Sequence, residues 1–204
     1  MIFPKQIDTS LMGRIEDLEK AFAAGAYLSA ISLALTIPDV CGDRLYPDRK
    51  KWTRRRYVDW FNEYIAFNYL DETSLAVNGK MTACRFYFSG EDCYQLRCVY
   101  LHQGINATEP TPGKTSYNMI QFRVFNEGPG DCDHIGRTTV DATDEDADDE
   151  VTIQVDLDLR KFIRCIRSGV EHFLEEHPEM NADNGSESFL YGPVLDFEHG
   201  RELL

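Results

Sequence analysis

Residues Ser89–Gly104 read SGEDCYQLRCVYLHQG, a stretch bounded like a helix at both ends. Ser89 followed three positions later by Asp92 is a variant of the capping box, in which the cap side chain and the acidic side chain each accept the other's backbone N–H. Gly104 supplies the left-handed residue that commonly closes a helix. Between them Cys93, Leu96, Val99 and Tyr100 fall on one apolar stripe. The pattern predicts a helix from Gly90 to about Gln103 lying against other helices.

The flanks supply those helices. From Ser10 to Ile37, Leu11, Ile15, Leu18, Phe22, Leu28, Ile31 and Leu35 recur mainly three and four apart, which predicts one long amphipathic helix capped by Thr9 or Ser10 and stopped by Pro38. CGDRLYPD after it reads as loop. A second helix is expected from about Lys51 to Tyr69, with Trp52, Tyr57, Trp60, Phe61, Tyr64, Ile65 and Phe67 as a broad aromatic face. Asp158 caps a last helix that carries Leu159, Phe162, Ile163, Ile166, Val170, Phe173 and Leu174 on one side and ends near Pro178.

Beyond Gly113 the period shortens to two. Ile120, Phe122 and Val124 alternate with polar residues, as do Val151, Ile153, Val155 and Leu157. A shorter strand, His134–Val140, is expected to pair with the Val151 strand across an acidic loop, Asp141–Glu150. The fold class is therefore mainly α: one helical domain over residues 1–178, with a small antiparallel β insertion at about 115–157, before the last long helix. Residues 179–204 read as an irregular tail that packs through Phe189, Leu190 and Tyr191.

Composition narrows the function classes. No apolar run approaches the ~18 residues a membrane helix needs, and MIFPKQID has neither a cationic start nor an apolar core, so a cytoplasmic location is the expectation. Six cysteines scattered without a CxxC pair read as reduced thiols, and Cys132 with His134 is too small a cluster for a zinc site. The net charge of −14 repels phosphate backbones as a whole, so a nucleic-acid contact needs a local basic patch. Arg49–Arg56, RKKWTRRR, supplies one, and Arg54, Arg55 and Arg56 are candidate substrate contacts. The acidic run Asp144–Glu150 fails the EF-hand pattern, with Asp149 where glycine is needed and Val155 where glutamate is needed. Neither a metal nor a cofactor is expected, and no glycine-rich phosphate loop, GxSxG elbow or HExxH occurs.

Arg97 and His102 are the residues best suited to chemistry. A guanidinium clamps a phosphate and steadies charge developing on it, while an imidazole moves a proton near neutral pH. That combination suits RNA cleavage, in which the ribose 2′-hydroxyl attacks the neighbouring phosphate. Positions five apart on a helix differ by about 140° in direction, so both reach one phosphate only across a partner chain or through a frayed end.

Arg97-Cys-Val-Tyr-Leu-His102 resembles the arginine, four to six residues, histidine motif of the HEPN superfamily, whose name abbreviates higher eukaryotes and prokaryotes nucleotide-binding. The wider pattern, TIPDVCG, RRRYVDWFNEY and CYQLRCVYLHQG, also resembles a bacterial branch of it. The resemblance implies a helical bundle and a homodimer with two motifs facing each other. It also implies a metal-independent RNA endonuclease or nucleic-acid-processing protein of the defence or toxin kind, with RNA and an antitoxin-like protein as partners. Arg97 then binds the scissile phosphate, His102 transfers protons, and Tyr94 joins Arg54, Arg55 and Arg56 in substrate contact. The competing expectation is a noncatalytic binding or assembly module with a protein partner, in which Arg97 is an ion-pairing residue for Asp92, Glu91 or Glu63. The two readings differ in whether Arg97 and His102 lie open to a groove.

Overall fold

The computed structural model describes residues 8–49, 52–70, 86–108, 119–125, 133–140, 150–182, 194–196 and 201–203. Among these, helices dominate: α1 (Leu11–Ala23), α2 (Tyr27–Leu45), α3 (Thr53–Tyr64), α4 (Gly90–Gln103) and α5 (Leu159–Glu176). No helix among the described residues is long and apolar enough to cross a membrane.

The single helix expected over Ser10–Ile37 is two helices with a sharp break. Gly25 sits at φ +75°, a left-handed conformation glycine adopts without a Cβ penalty. Its N–H donates to Phe22 O at 3.0 Å and that of Ala26 to Ala21 O at 2.9 Å. This pair of bonds is the Schellman motif that ends a helix and satisfies its last carbonyls. At the other end, Ser10 caps α1, its hydroxyl accepting the Gly13 N–H at 3.0 Å.

Pro38 does not stop the second of these helices. α2 runs on through it to Leu45, and Ile37, Pro38, Cys41 and Gly42 are all buried. An internal proline costs a helix about 3 kcal/mol, and burial of this apolar face offsets that loss at ~25 cal/mol per Å². Cys41–Leu45, expected as loop, is therefore helical. α3 is shorter than the sequence suggested, ending at Tyr64 and followed by a 3₁₀ turn, Ala66–Tyr69.

α3 is the centre of the core. Tyr57, Trp60, Phe61 and Tyr64 are at most 2% exposed. Trp60 meets Phe173 of α5 edge-on at 6.0 Å, and Tyr57 meets Tyr94 of α4 at 5.4 Å. An aromatic chain then leads outward through Phe61, Phe88 and Phe162 to Phe122, whose ring lies 4.9 Å from Phe162.

Phe122 belongs to a three-stranded sheet placed between α4 and α5 in sequence, in the order β1 (Met119–Arg123), β3 (Glu150–Asp158), β2 (His134–Val140). β2 and β3 are antiparallel as expected, with His134 opposite Asp156. β1 corrects the expectation of an antiparallel sheet, because it runs parallel to β3, with Ile120 opposite Val155 and Phe122 opposite Leu157. Alternation locates a strand and its buried face but carries no direction. Residues 141–149, which hold most of the expected acidic loop, lie outside the described residues.

Asp158 ends β3 and caps α5, its Oδ1 accepting the N–H groups of Arg160 (2.7 Å) and Lys161 (3.3 Å). After α5 a 3₁₀ turn, Pro178–Asn181, returns to the first two helices: Asn181 Oδ1 accepts the Met12 N–H at 3.1 Å, and Arg44 donates to the Met180 carbonyl. The tail expected to be irregular also holds a two-stranded antiparallel pair, β4 (Val194–Asp196) and β5 (Arg201–Leu203). Phe189, Leu190 and Tyr191 lie outside the described residues.

Candidate functional site

The start of α4 is fixed from both directions. Ser89 Oγ accepts the Asp92 N–H at 3.4 Å, while Asp92 Oδ2 accepts the Ser89 N–H at 2.8 Å, completing the expected capping box. The Gly90 N–H donates to Asn62 Oδ1 of α3 at 2.8 Å. Only glycine fits here, since a Cβ at position 90 would stand 2.6 Å from the Val58 carbonyl oxygen. α4 then runs along α3 to Gly104, at φ +71°, whose N–H closes the helix on Tyr100 O at 3.0 Å. The sequence thus places both ends of the motif helix correctly.

Halfway along, Arg97 turns inward to α2. Its Nε and Nη2 lie 2.7 Å and 2.6 Å from the same oxygen, Asp39 Oδ2. Both side chains are 20% exposed. The Tyr94 ring lies 5.7 Å from the guanidinium carbon, covering it on a further side. Asp39 Oδ1 is buried and has no hydrogen-bond partner among the described residues. Burial pushes the Asp39 carboxyl above its ordinary range, and the Arg97 guanidinium offsets only part of that. The pair is the ionic contact expected of a structural Arg97, but its partner is Asp39 and not Asp92, Glu91 or Glu63.

His102 occupies the last turn of α4 and is exposed. Tyr100 donates to the Leu28 carbonyl at 2.9 Å, joining the end of α4 to the start of α2. Leu28 is 71% exposed, and Tyr27, Leu101 and Ile105 are exposed with it.

The three arginines of α3 have separate fates. Arg56 points into the molecule, 7% exposed, with Nη1 2.7 Å from Asp43 Oδ1 of α2. Arg55 lies 3.5 Å from Asp59 and 6.0 Å from the ring centre of Trp52. Arg54 forks onto both carboxylate oxygens of Glu91 on α4, Nε at 3.1 Å from Oε2 and Nη2 on Oε1. The Arg54–Glu91 pair stands on a wall shared by two clefts. One, of about 570 Å³, is lined by Trp52, Arg55 and Val58. The other, of about 420 Å³, runs past Tyr94, Cys98 and Gln103. Tyr94 and Arg54 therefore share a concave surface, and neither Arg97 nor His102 lines it.

A second charged cluster was not visible in the sequence. Lys161 of α5 donates to Asp133 Oδ2 at 2.6 Å and to the Tyr87 hydroxyl oxygen at 2.7 Å, and the Tyr87 O–H donates to Asp133 Oδ2 at 2.7 Å. The Asp158 N–H donates to Asp133 Oδ1 at 2.8 Å. The Asp133 side chain is 2% exposed and that of Lys161 17%. Lys161 Nζ also lies 4.9 Å from the Tyr69 ring centre, in cation–π range. Both carboxylate oxygens are satisfied, and the cluster ties the approaches to α4 and β2 onto α5. Its members come from three distant segments, so no local spacing announces them.

Among the described residues no group of three or more His, Cys, Asp or Glu side chains could hold a metal ion. Cys41, Cys93, Cys98 and Cys165 are free thiols, and burial raises those of Cys41, Cys93 and Cys165 above the ordinary range.

No family model, no curated protein and no solved structure matches this chain. The HEPN resemblance accordingly stands on the Arg97–His102 motif and the sequence around it.

Proposed function

We propose that this chain is a noncatalytic, HEPN-like binding and assembly module whose partner is a second copy of itself. The observation that carries this reading is the Arg97 guanidinium, which directs two nitrogens at Asp39 Oδ2 within 2.7 Å and is covered by Tyr94. A phosphate-clamping arginine needs its fork free for the substrate. Here the fork is filled by a carboxylate of the same chain, and taking it away would leave a half-buried anion unpaired. His102 without a free arginine is an exposed helix-end histidine, favoured there by the helix dipole.

The apolar end around Leu28 supports a protein partner. Exposed apolar surface marks interaction sites: Tyr27 and Leu28 are exposed at the start of α2, which Tyr100 ties to the end of α4, where Leu101 is exposed. A homodimer formed there is isologous, each copy offering the same patch, and it brings neutral surface together in a molecule of charge −14. The defence-type RNA endonuclease is the alternative that the motif suggests.

Two measurements test the proposal together. Light scattering should give a dimer for the native chain and a monomer for Leu28→Asp. Incubation with structured and single-stranded RNA in EDTA should give no cleavage. Cleavage abolished by both Arg97→Ala and His102→Ala would overturn the noncatalytic reading, and a native monomer at micromolar concentration would overturn the self-partnering.

A further inference from the structure

We propose that the groove carrying Trp52, Arg54 and Tyr94 seats an acidic peptide segment of a partner protein, one apolar side chain lying on Trp52 and one carboxylate taking Arg54 from Glu91. This rests on the binding-module reading but uses clefts that Leu28, the residue tested for self-association, does not line.

The first support is composition. Trp52 is 59% exposed beside a cleft of about 570 Å³, although tryptophan is highly buried on average. Tryptophan, tyrosine and arginine are the residues that dominate interface energies, and this groove presents Trp52, Tyr94, Arg54 and Arg55 along its walls.

The second is the state of Arg54. Its fork already holds a carboxylate in two-point geometry, and that carboxylate belongs to Glu91, whose side chain is 36% exposed. An exposed ion pair of this kind contributes little stability. Exchange for an incoming carboxylate is therefore like for like: Arg54 keeps two charge-assisted bonds and Glu91 returns to water. Net affinity comes from covering Trp52 and the Val58 wall.

The third is charge. A nucleic-acid strand brings a phosphate at every nucleotide against a molecule of −14 that also places Glu91 on the groove wall. A peptide with one acid beside an apolar residue brings a single negative charge to that wall, and Arg54 takes it up. The two clefts lie on either side of the Arg54–Glu91 pair, so an extended chain crossing that pair reaches both.

The chain has two tryptophans, and Trp60 is fully buried, so a change in emission on binding reports Trp52. The test is an array of acidic heptapeptides with Leu, Phe, Met or Ala at the centre, probed with labelled full-length protein, hits being confirmed by tryptophan emission in solution. Expected are retention on peptides with large apolar centres, a blue shift of Trp52, at least tenfold weaker binding for Arg54→Gln, and several-fold tighter binding for Glu91→Gln, which removes the internal competitor. Leu28→Asp, which tests self-association, should bind these peptides unchanged. The proposal is overturned if no acidic peptide is retained, if Glu91→Gln weakens binding as Arg54→Gln does, or if oligouridine displaces the peptides at equal concentration.

Discussion

Replacing Arg97 by alanine separates a structural arginine from a catalytic one through stability alone. The substitution deletes two charge-assisted hydrogen bonds and leaves the Asp39 carboxylate facing the α2–α4 contact with Oδ1 already unpaired. Breaking one side of a buried ion pair costs about 3–5 kcal/mol. Both side chains retain 20% exposure, which places the expected loss at the lower end, about 3 kcal/mol. For a chain of 204 residues, with about 2–4 °C per kcal/mol, the midpoint of thermal unfolding should fall by about 6–12 °C. Differential scanning calorimetry measures this, and urea titration checks that the slope with denaturant is unchanged. Pairing Arg97→Met with Asp39→Leu should recover most of the loss, because an apolar pair of similar volume replaces a buried ion pair at little cost. A melting point within 2 °C of the native value for Arg97→Ala would refute the argument, because a guanidinium held for substrate contributes nothing to folding.

Three further outcomes follow from the same geometry. Lys161→Met leaves Asp133 buried and charged, which should cost about 3 kcal/mol and speed amide exchange at the start of β2 before α3 is affected, as hydrogen-exchange mass spectrometry would show. Gly25→Ala forces an alanine to φ +75° and should destabilise by about 1–2 kcal/mol, measurable by urea titration; stabilisation would mean that α1 and α2 are one continuous helix. The third concerns acid. Although burial acts to raise it, Asp156 is held below the ordinary carboxylate value of 3.8 by hydrogen bonds from Gln154 and Gln121 and by Arg123. Its contribution is therefore present above 3.8 and lost as pH falls through its lower folded value, so Asp156→Asn should flatten the acid limb of the stability profile. Asp39 has the opposite sign: burial raises its carboxyl, the native state keeps the extra proton, and stability declines as pH rises from 3.8 through the folded value.

Local rules were legible in proportion to how local they are. The capping box of Ser89 and Asp92, the left-handed stop at Gly104 and the Asp158 cap of α5 each involve residues a few positions apart, and all three are present. The Gly25 break was equally local, yet the apolar residues of α1 and α2 keep nearly helical spacing across it, so periodicity concealed a turn that one glycine dictates. Strand positions were readable from alternation, but the parallel pairing of β1 with β3 is a long-range choice that leaves no mark on either strand. Lys161, Asp133 and Tyr87 assemble from segments 28 and 74 positions away from the lysine, beyond the reach of any spacing rule.

The status of Arg97 turns on Pro38. A proline reads as a helix stop because it lacks an N–H and restricts its predecessor, and that rule assigns Asp39 to a solvated loop. Burial of Ile37, Pro38, Cys41 and Gly42 overrides the rule and carries α2 on to Leu45, about two further turns. Asp39 is then held on a helix, opposite α4, where Arg97 pairs with it directly. The same extension seats Asp43 against Arg56 and removes that arginine from the surface. One helix end, set by packing against the proline's local preference, thus converts two of the candidate substrate-binding cations into ties between helices. It leaves Arg54 and Arg55, on the opposite flank of α4, as the cations still facing solvent beside a cleft.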